Sequence, residues 1–429
     1  MTLLVTIAFG VLFFACILAS IALHELGHMV PAKRFGVRVP KFFVGFGPTA
    51  WSVVRGETEY GFKWIPLGGY VRLMGMYPPS GPRTRLARLA ELAEGARAAE
   101  WAEVLPSDVA DERLFYQKRT WQKLIVMAGG PLMNVLIAFL LFWAVIGIHG
   151  YAQPQPIVGR VQECIIREDR ANAACTPADP KSPAYLAGLA TGDRVVSFNG
   201  VAIGSYEQLV DLIRANLDRP ATLVVDRGTQ RLTLPTVNTV IDGVPDKLDP
   251  SRRIPAGWLG ITPAVVLAHG GPDEVVRQMW TMSVQSAVAL VQFPVKVFNV
   301  VADLVTGKPR DVYGPMSIVG ATVAAGEIAA NEDLSVGDRA ALFGSLLASL
   351  NLFLAVFNFI PLPPLDGGHI AGALYEAARR QVARWRGRPD PGPVDTAKML
   401  PVAYAVAGFL ILSGLALIVA DIISPIRIF

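Results

Sequence analysis

The sequence predicts a polytopic α-helical membrane protein with about four transmembrane helices, membrane re-entrant β-hairpins and one extracytoplasmic α/β domain. Three observations carry this reading. Of 429 residues, 52% are hydrophobic and 17% charged, where soluble domains carry about a quarter charged, and the mean hydropathy is +0.42. Four stretches, 2–23, 124–148, 341–360 and 401–423, are apolar over the roughly 20 residues a bilayer crossing takes. Basic residues gather at particular ends of these stretches. The net charge of +4 is too small to indicate a nucleic-acid partner; the lipid bilayer is the partner the composition implies.

Taken in order, residues 1–40 hold the first span. It lacks a basic start and exceeds the apolar core of a signal peptide, about 7–15 residues, so it is expected to be retained. Residues 41–78 are dense in glycine, aromatic and β-branched residues with turn signals at Gly47-Pro48 and Gly68-Gly69, which predicts membrane-associated hairpins. Residues 79–118, rich in Ala, Arg, Glu and Leu, read as a peripheral amphipathic insert without chemistry. The second span occupies 119–150, followed by an α/β domain at 151–243. Residues 244–340 read as linker and interfacial amphipathic helices, because Arg277, Gln285, Gln292, Lys296, Asn299 and Asp303 interrupt the apolar run there. The third span with its Leu-Asp-Gly segment covers 341–375, a loop 376–400, and the last span 401–429.

Orientation follows the short basic flanks. Lys33, Arg34, Arg38 and Lys41 follow the first span, Lys118, Arg119 and Lys123 open the second, and Arg379, Arg380, Arg384, Arg386 and Arg388 lie between the last two. These flanks are expected to be cytoplasmic, with the 150–340 region outside. Cys164 and Cys175 both fall in that outward region, where a disulfide persists if the two are bridged.

The motif that interrupts the first span is His24-Glu25-Leu26-Gly27-His28. Residues i and i+4 leave one face of a helix, so two imidazoles can bind one zinc ion, with Glu25 placed beside it as a general base. Charge inside a span is costly and marks function. A catalytic zinc needs a third protein ligand. Asp366, after prolines 361, 363 and 364 and before Gly367-Gly368, is the candidate. Taken alone, that segment reads equally as a helix-ending turn. Topology favours the ligand: with 274–306 lying in the interface, Asp366 emerges on the same side as His24 and His28; with 274–306 crossing, it emerges roughly 30 Å away.

Two resemblances follow from these residues. Ser182-Pro183-Ala184, Ala187-Gly188-Leu189, Gly192-Asp193 and Asn199-Gly200 resemble a PDZ domain, present in one copy. The chain as a whole, apart from 80–115, resembles the site-2 proteases, intramembrane zinc metalloproteases of regulated intramembrane proteolysis. The resemblance implies Zn2+ held by His24, His28 and Asp366, with Glu25 as catalytic base. Asn358, Pro361 and Pro363 match the family's Asn-x-x-Pro-x-Pro-x-Leu-Asp-Gly pattern, and its asparagine helps hold the substrate backbone. Gly68, Gly69 and Tyr70 resemble its substrate-pairing β-loop. "GGPLMN" (Gly129 to Asn134) and "YGPMSIVG" match further segments. The resemblance further implies single-span membrane substrates, such as anti-sigma factors or remnant signal peptides, first cut outside by a site-1-type protease. It places the enzyme in the bacterial cytoplasmic membrane, with the active site near the cytoplasmic face. The single PDZ domain departs from the two of enterobacterial members. A transporter relay predicts inverted repeats that the halves lack. An adaptor with a closed zinc site needs a fourth ligand, and Cys16 is the only thiol nearby.

Overall fold

In the computed structural model, residues 2–79, 87–165, 175–246, 253–308, 310–311 and 314–426 are described. The chain divides into two units, 1–145 with 272–429, and 146–271.

In the first unit, α1 (Thr2–Arg34) runs without a break because its apolar sequence has no proline before Pro31. It packs against α4 (Thr120–Ala144) at closest approach through Gly27 and Gly129, where a Cβ on either residue would collide with the other's carbonyl. Small residues permit that backbone contact. Between them, β1 (Lys41–Arg55) and β2 (Thr58–Arg72) form the expected hairpin. Its irregular register puts 41–44 between two arms of β2, pairing Lys41 with both Glu59 and Arg72 and Val44 with both Phe62 and Gly69. Gly69–Arg72 is therefore a border strand of this small sheet. Its far end exposes Trp51, Phe62 and Trp64.

Specific side chains fasten the insert to the rest of the unit. Helix α2 (Ala87–Trp101) turns Glu100 inward, where its carboxylate accepts the N–H groups of Gly75 and Met76 at 2.8 Å and of Tyr77 at 3.0 Å. Arg97 donates to Pro78 O and pairs with Asp395, and Asp108 of the short α3 (Pro106–Ala110) pairs with Arg38. Residues 80–86 of the insert lie outside the described residues.

The second unit is a six-stranded sheet. Its strands are β3 (Tyr151–Val161), β4 (Arg194–Phe198), β5 (Val201–Ala202), β7 (Leu223–Arg227), β8 (Gln230–Thr233) and β12 (Ile261–Ala268), in order β12-β3-β4-β7-β8 with β5 on β4. Helices α5 (Pro183–Leu186) and α6 (Tyr206–Asn216), capped by Ser182 and Ser205, close a core of Val158, Leu189, Val195, Phe198, Leu209, Leu223 and Val225. β6 (Pro220–Ala221) pairs with β9 (Val237–Asn238), and β10 (Val240–Pro245) with β11 (Arg253–Trp258). The domain boundary expected at 243 is corrected. β12 completes the sheet against β3, so the unit runs to Gly271. Cys164 and Cys175 are bridged.

The return half differs from expectation in two places. Residues 272–306 form one helix, α7 (Pro272–Thr306). Among the described residues it is one of five helices long and apolar enough to cross a membrane. The 341–375 element is two helices: α9 (Val336–Asn358) ends before the proline turn, and α10 starts at Asp366 (Asp366–Trp385). The α10 helix also takes up the first part of the 376–400 loop. Before α9, α8 (Ile318–Ala330) lies along α1, with Thr322 at Gly10 and Gly326 at Thr6. Phe343 of α9 meets Phe9 and Phe13 edge-on. The last helix is α11 (Leu400–Ile423).

Candidate metal centre

Three elements bring the site together. On α1, His24 and His28 present Nε2 atoms 3.2 Å apart. The proline turn delivers Asp366 as the first residue of α10, and its Oδ2 lies 3.3 Å from each Nε2. The third element, α4, contributes no ligand but fixes the rings. Val126 O lies 2.7 Å from His28 Nδ1, so that nitrogen carries the proton and Nε2 keeps its lone pair free. Gly130 passes directly beneath both rings; a Cβ there would sit 2.7 Å from His24 Nε2 and closer still to His28 Nε2.

The donor atoms of His24, His28 and Asp366 all lie within 4.8 Å of one another. Among the described residues none hydrogen-bonds the buried Asp366 Oδ2 or His24 Nδ1. Two imidazole nitrogens and a carboxylate oxygen facing one another, with one lone pair fixed by its ring's other hydrogen bond, is the donor set a zinc ion requires. The residues fit the metal.

A cavity of about 420 Å3 opens beside these ligands, lined by His24, Glu25, Gly68, Gly69, Asn134 and Asn358 together with Met316–Ile318 and leucines of α9. Gly69 lies against the Glu25 side chain, where a Cβ would stand 3.2 Å from its Cγ. Asn358 donates to Leu354 O at 3.0 Å from the last turn of α9 and faces the same space. Tyr70 differs: its ring stacks on Phe43 and Phe46 and serves the hairpin. Pro361 and Pro363 form the turn that aims Asp366 and do not line the cavity.

Sequence reasoning left several contributors unassigned. Val126 acts through its carbonyl and Gly130 through having no side chain, and neither leaves a side-chain signature. Asn134, buried with its Oδ1 unpartnered among the described residues, sits within the quoted GGPLMN segment, which was the available signal. Ser317 N–H and the Arg310 guanidinium both bond Asp421 of α11, seating the start of α8 at the cavity. Tyr313 of the "YGPMSIVG" segment lies outside the described residues.

A HExxH helix joined by a distant aspartate in a bundle of long apolar helices defines a membrane metallopeptidase. Comparison with known proteins agrees. A profile described as peptidase family M50 matches residues 12–388, and the chain belongs to that family, the site-2 proteases. It is similar to zinc metalloprotease Rip1 of Mycobacterium tuberculosis, 33% identical with 98% of each chain covered. It is also similar to Rip1 of Mycolicibacterium smegmatis, 30% identical over 98% of each. A putative zinc metalloprotease of Nostoc sp. is 28% identical over 94% of this chain and 92% of its own. The chain is a zinc metalloprotease by this membership.

Proposed function

We propose that His24, His28 and Asp366 hold the zinc and that Glu25 is the general base for hydrolysis of a peptide bond within the transmembrane segment of a single-span substrate. The convergence of His24 and His28 Nε2 with Asp366 Oδ2 is the observation that carries this reading. Zinc bound there supplies Lewis acidity toward water and the scissile carbonyl. Glu25 takes the proton of the attacking water and returns it to the leaving amine, a role that needs a carboxylate in reach of the cavity. Gly69 leaves room for that carboxylate. A transmembrane helix must lose internal hydrogen bonds to be cut. Asn358 and the border strand at Gly68–Val71 offer replacement donors and acceptors along the cavity wall, in the manner of strand addition.

The chain is read as crossing the bacterial cytoplasmic membrane four times, through α1, α4, α9 and α11, with the basic flanks and the metal site toward the cytoplasm. Residues 146–271 are read as an extracytoplasmic PDZ-like domain. The groove of about 290 Å3 between α6 and Gly257–Ile261 supports peptide capture there. Anti-sigma factors and remnant signal peptides, released by a prior site-1-type cleavage, are the substrate class this arrangement suits.

The test is zinc stoichiometry of the detergent-purified protein. Wild type and Glu25→Gln are expected to hold about one zinc per chain, with Asp366→Ala losing it. Full zinc in Asp366→Ala would remove Asp366 from the ligand set.

A further inference from the structure

A second cavity, of about 820 Å3, lies between the start of α4 and the outer face of α10. Four arginines line it, Arg119 from before α4 and Arg380, Arg384 and Arg388 from α10 and the turn after it, against one acid, Asp390. Arg380 is partly engaged, 3.3 Å from Glu376 and 3.4 Å from Asp390, and Arg384 donates to Gln381. Arg119, Arg384 and Arg388 are exposed. The first turn of a 25-residue helix adds its free N–H groups and positive dipole end to the same wall.

The rest of the lining is apolar. Leu124 and Ala383 line the cavity beside Trp121, which is 51% exposed. Ile125, Val382 and Trp385 continue an exposed apolar surface nearby. Thr120 is also where a candidate membrane span begins. A soluble polyanion has no use for that apolar margin, and a bare basic flank needs no cavity. An amphiphile with an anionic head and hydrocarbon tails uses both.

We propose that this cavity binds an anionic phospholipid, its phosphodiester among Arg119, Arg384 and Arg388 and its acyl chains along the Trp121–Ile125 face. This rests on the reading of the chain as membrane-embedded. The consequence reaches the metal centre, because the two walls are the helices that carry its parts. α10 begins with Asp366, and α4 supplies the Val126 carbonyl that orients His28. A lipid seated between them braces their separation.

Native mass spectrometry of the detergent-solubilised full chain, titrated with phosphatidylglycerol or phosphatidylcholine, tests this. Wild type is expected to retain phosphatidylglycerol preferentially. Arg119→Gln/Arg384→Gln/Arg388→Gln should weaken it about fivefold per arginine, roughly a hundredfold in all. Arg386→Gln, in the same turn but outside the cavity lining, should bind as wild type. If the triple variant misfolds, Arg388→Gln alone should show the single fivefold step. Equal affinity for the two lipids, or unchanged affinity in the folded variants, overturns the proposal. So does displacement by inorganic phosphate or glycerol phosphate at the same concentration, which identifies a simple anion site. Failure of the membrane reading itself shows separately, as a chain that stays monodisperse once detergent is removed.

Discussion

Gly130→Ala isolates the metal centre from the fold. The added Cβ would stand 2.7 Å from His24 Nε2 and closer to His28 Nε2, whereas real Cβ contacts essentially never fall below 3.0 Å. Both imidazole tips must therefore move away from α4 by up to about 1 Å, a misplacement that costs on the order of 100-fold in rate. Loss of a group that orients a ligand weakens metal binding by roughly 10–100-fold, and zinc affinity is expected to fall by that amount. The helix itself gains, since alanine is favoured over glycine in a helix interior by about 1 kcal/mol. Thermal stability of the metal-free protein should hold or rise while zinc is lost. The neighbouring Gly129→Ala makes the contrast, because its Cβ meets the Gly27 backbone carbonyl of α1, and there stability should fall. Competition with a chromophoric zinc chelator, beside thermal denaturation in detergent, reads both quantities without any substrate. Wild-type zinc affinity in a folded Gly130→Ala protein would refute the placement of the two rings over this glycine.

Two further perturbations test parts away from the zinc. Glu100→Ala leaves the Gly75, Met76 and Tyr77 N–H groups without their acceptor, at about 1–3 kcal/mol for a buried unmet donor. Amide exchange over 73–78 should accelerate with zinc content unchanged, and Glu100→Gln should restore part of the protection; unchanged exchange would show the clamp to be idle. In the second unit, burial alone would push the Asp193 carboxyl up, but hydrogen bonds from Arg227 and the Ala190 N–H, with the guanidinium charge, outweigh it and hold it below its ordinary value of 3.8. A depressed folded value means stability that is present above pH 3.8 and lost as pH falls below it. Arg227→Gln should therefore be less stable than wild type at neutral pH, with the gap closing in acid; a gap independent of pH would rule the pairing out as its source.

The parts legible in the sequence are those whose signal is carried by side-chain type at fixed spacing. His24 and His28 declare a shared face by being four apart, and the prolines at 361, 363 and 364 declare a broken helix with Asp366 just beyond it. Glu100 and Arg97 were hidden for the opposite reason. In a segment rich in Ala, Arg, Glu and Leu, composition does not tell which charged residue turns inward, and only the backbone groups of 75–78 decide that. The domain boundary was missed because β12 pairs with β3 across about a hundred residues of chain, a partnership that no local pattern encodes.

Helix α7 shows where local composition and topology part company. By length and hydropathy it qualifies as a span, yet a net crossing would conflict with the shared site of His24 and Asp366. The contacts at its two ends bear on that conflict. The starts of α4 and α11 are both tied to the 74–76 turn, through Phe115 N–H on Met74 O and Thr396 Oγ1 on Met76 O. The far end of each lies a helix length from that turn. Within the second unit Gly270 N–H bonds Ile146 O, so the chain enters α7 beside the far end of α4. It leaves past Arg310, which pairs with Asp421, about 31 Å along α11 from its start. Val297 and Val300 pack on Leu417 and Ala420 of that same stretch of α11. Pro294 inside the helix supplies a place to bend. The four-crossing topology proposed above requires that α7 make no net crossing. The next descent, α9, then ends where a carboxylate can meet the two histidines.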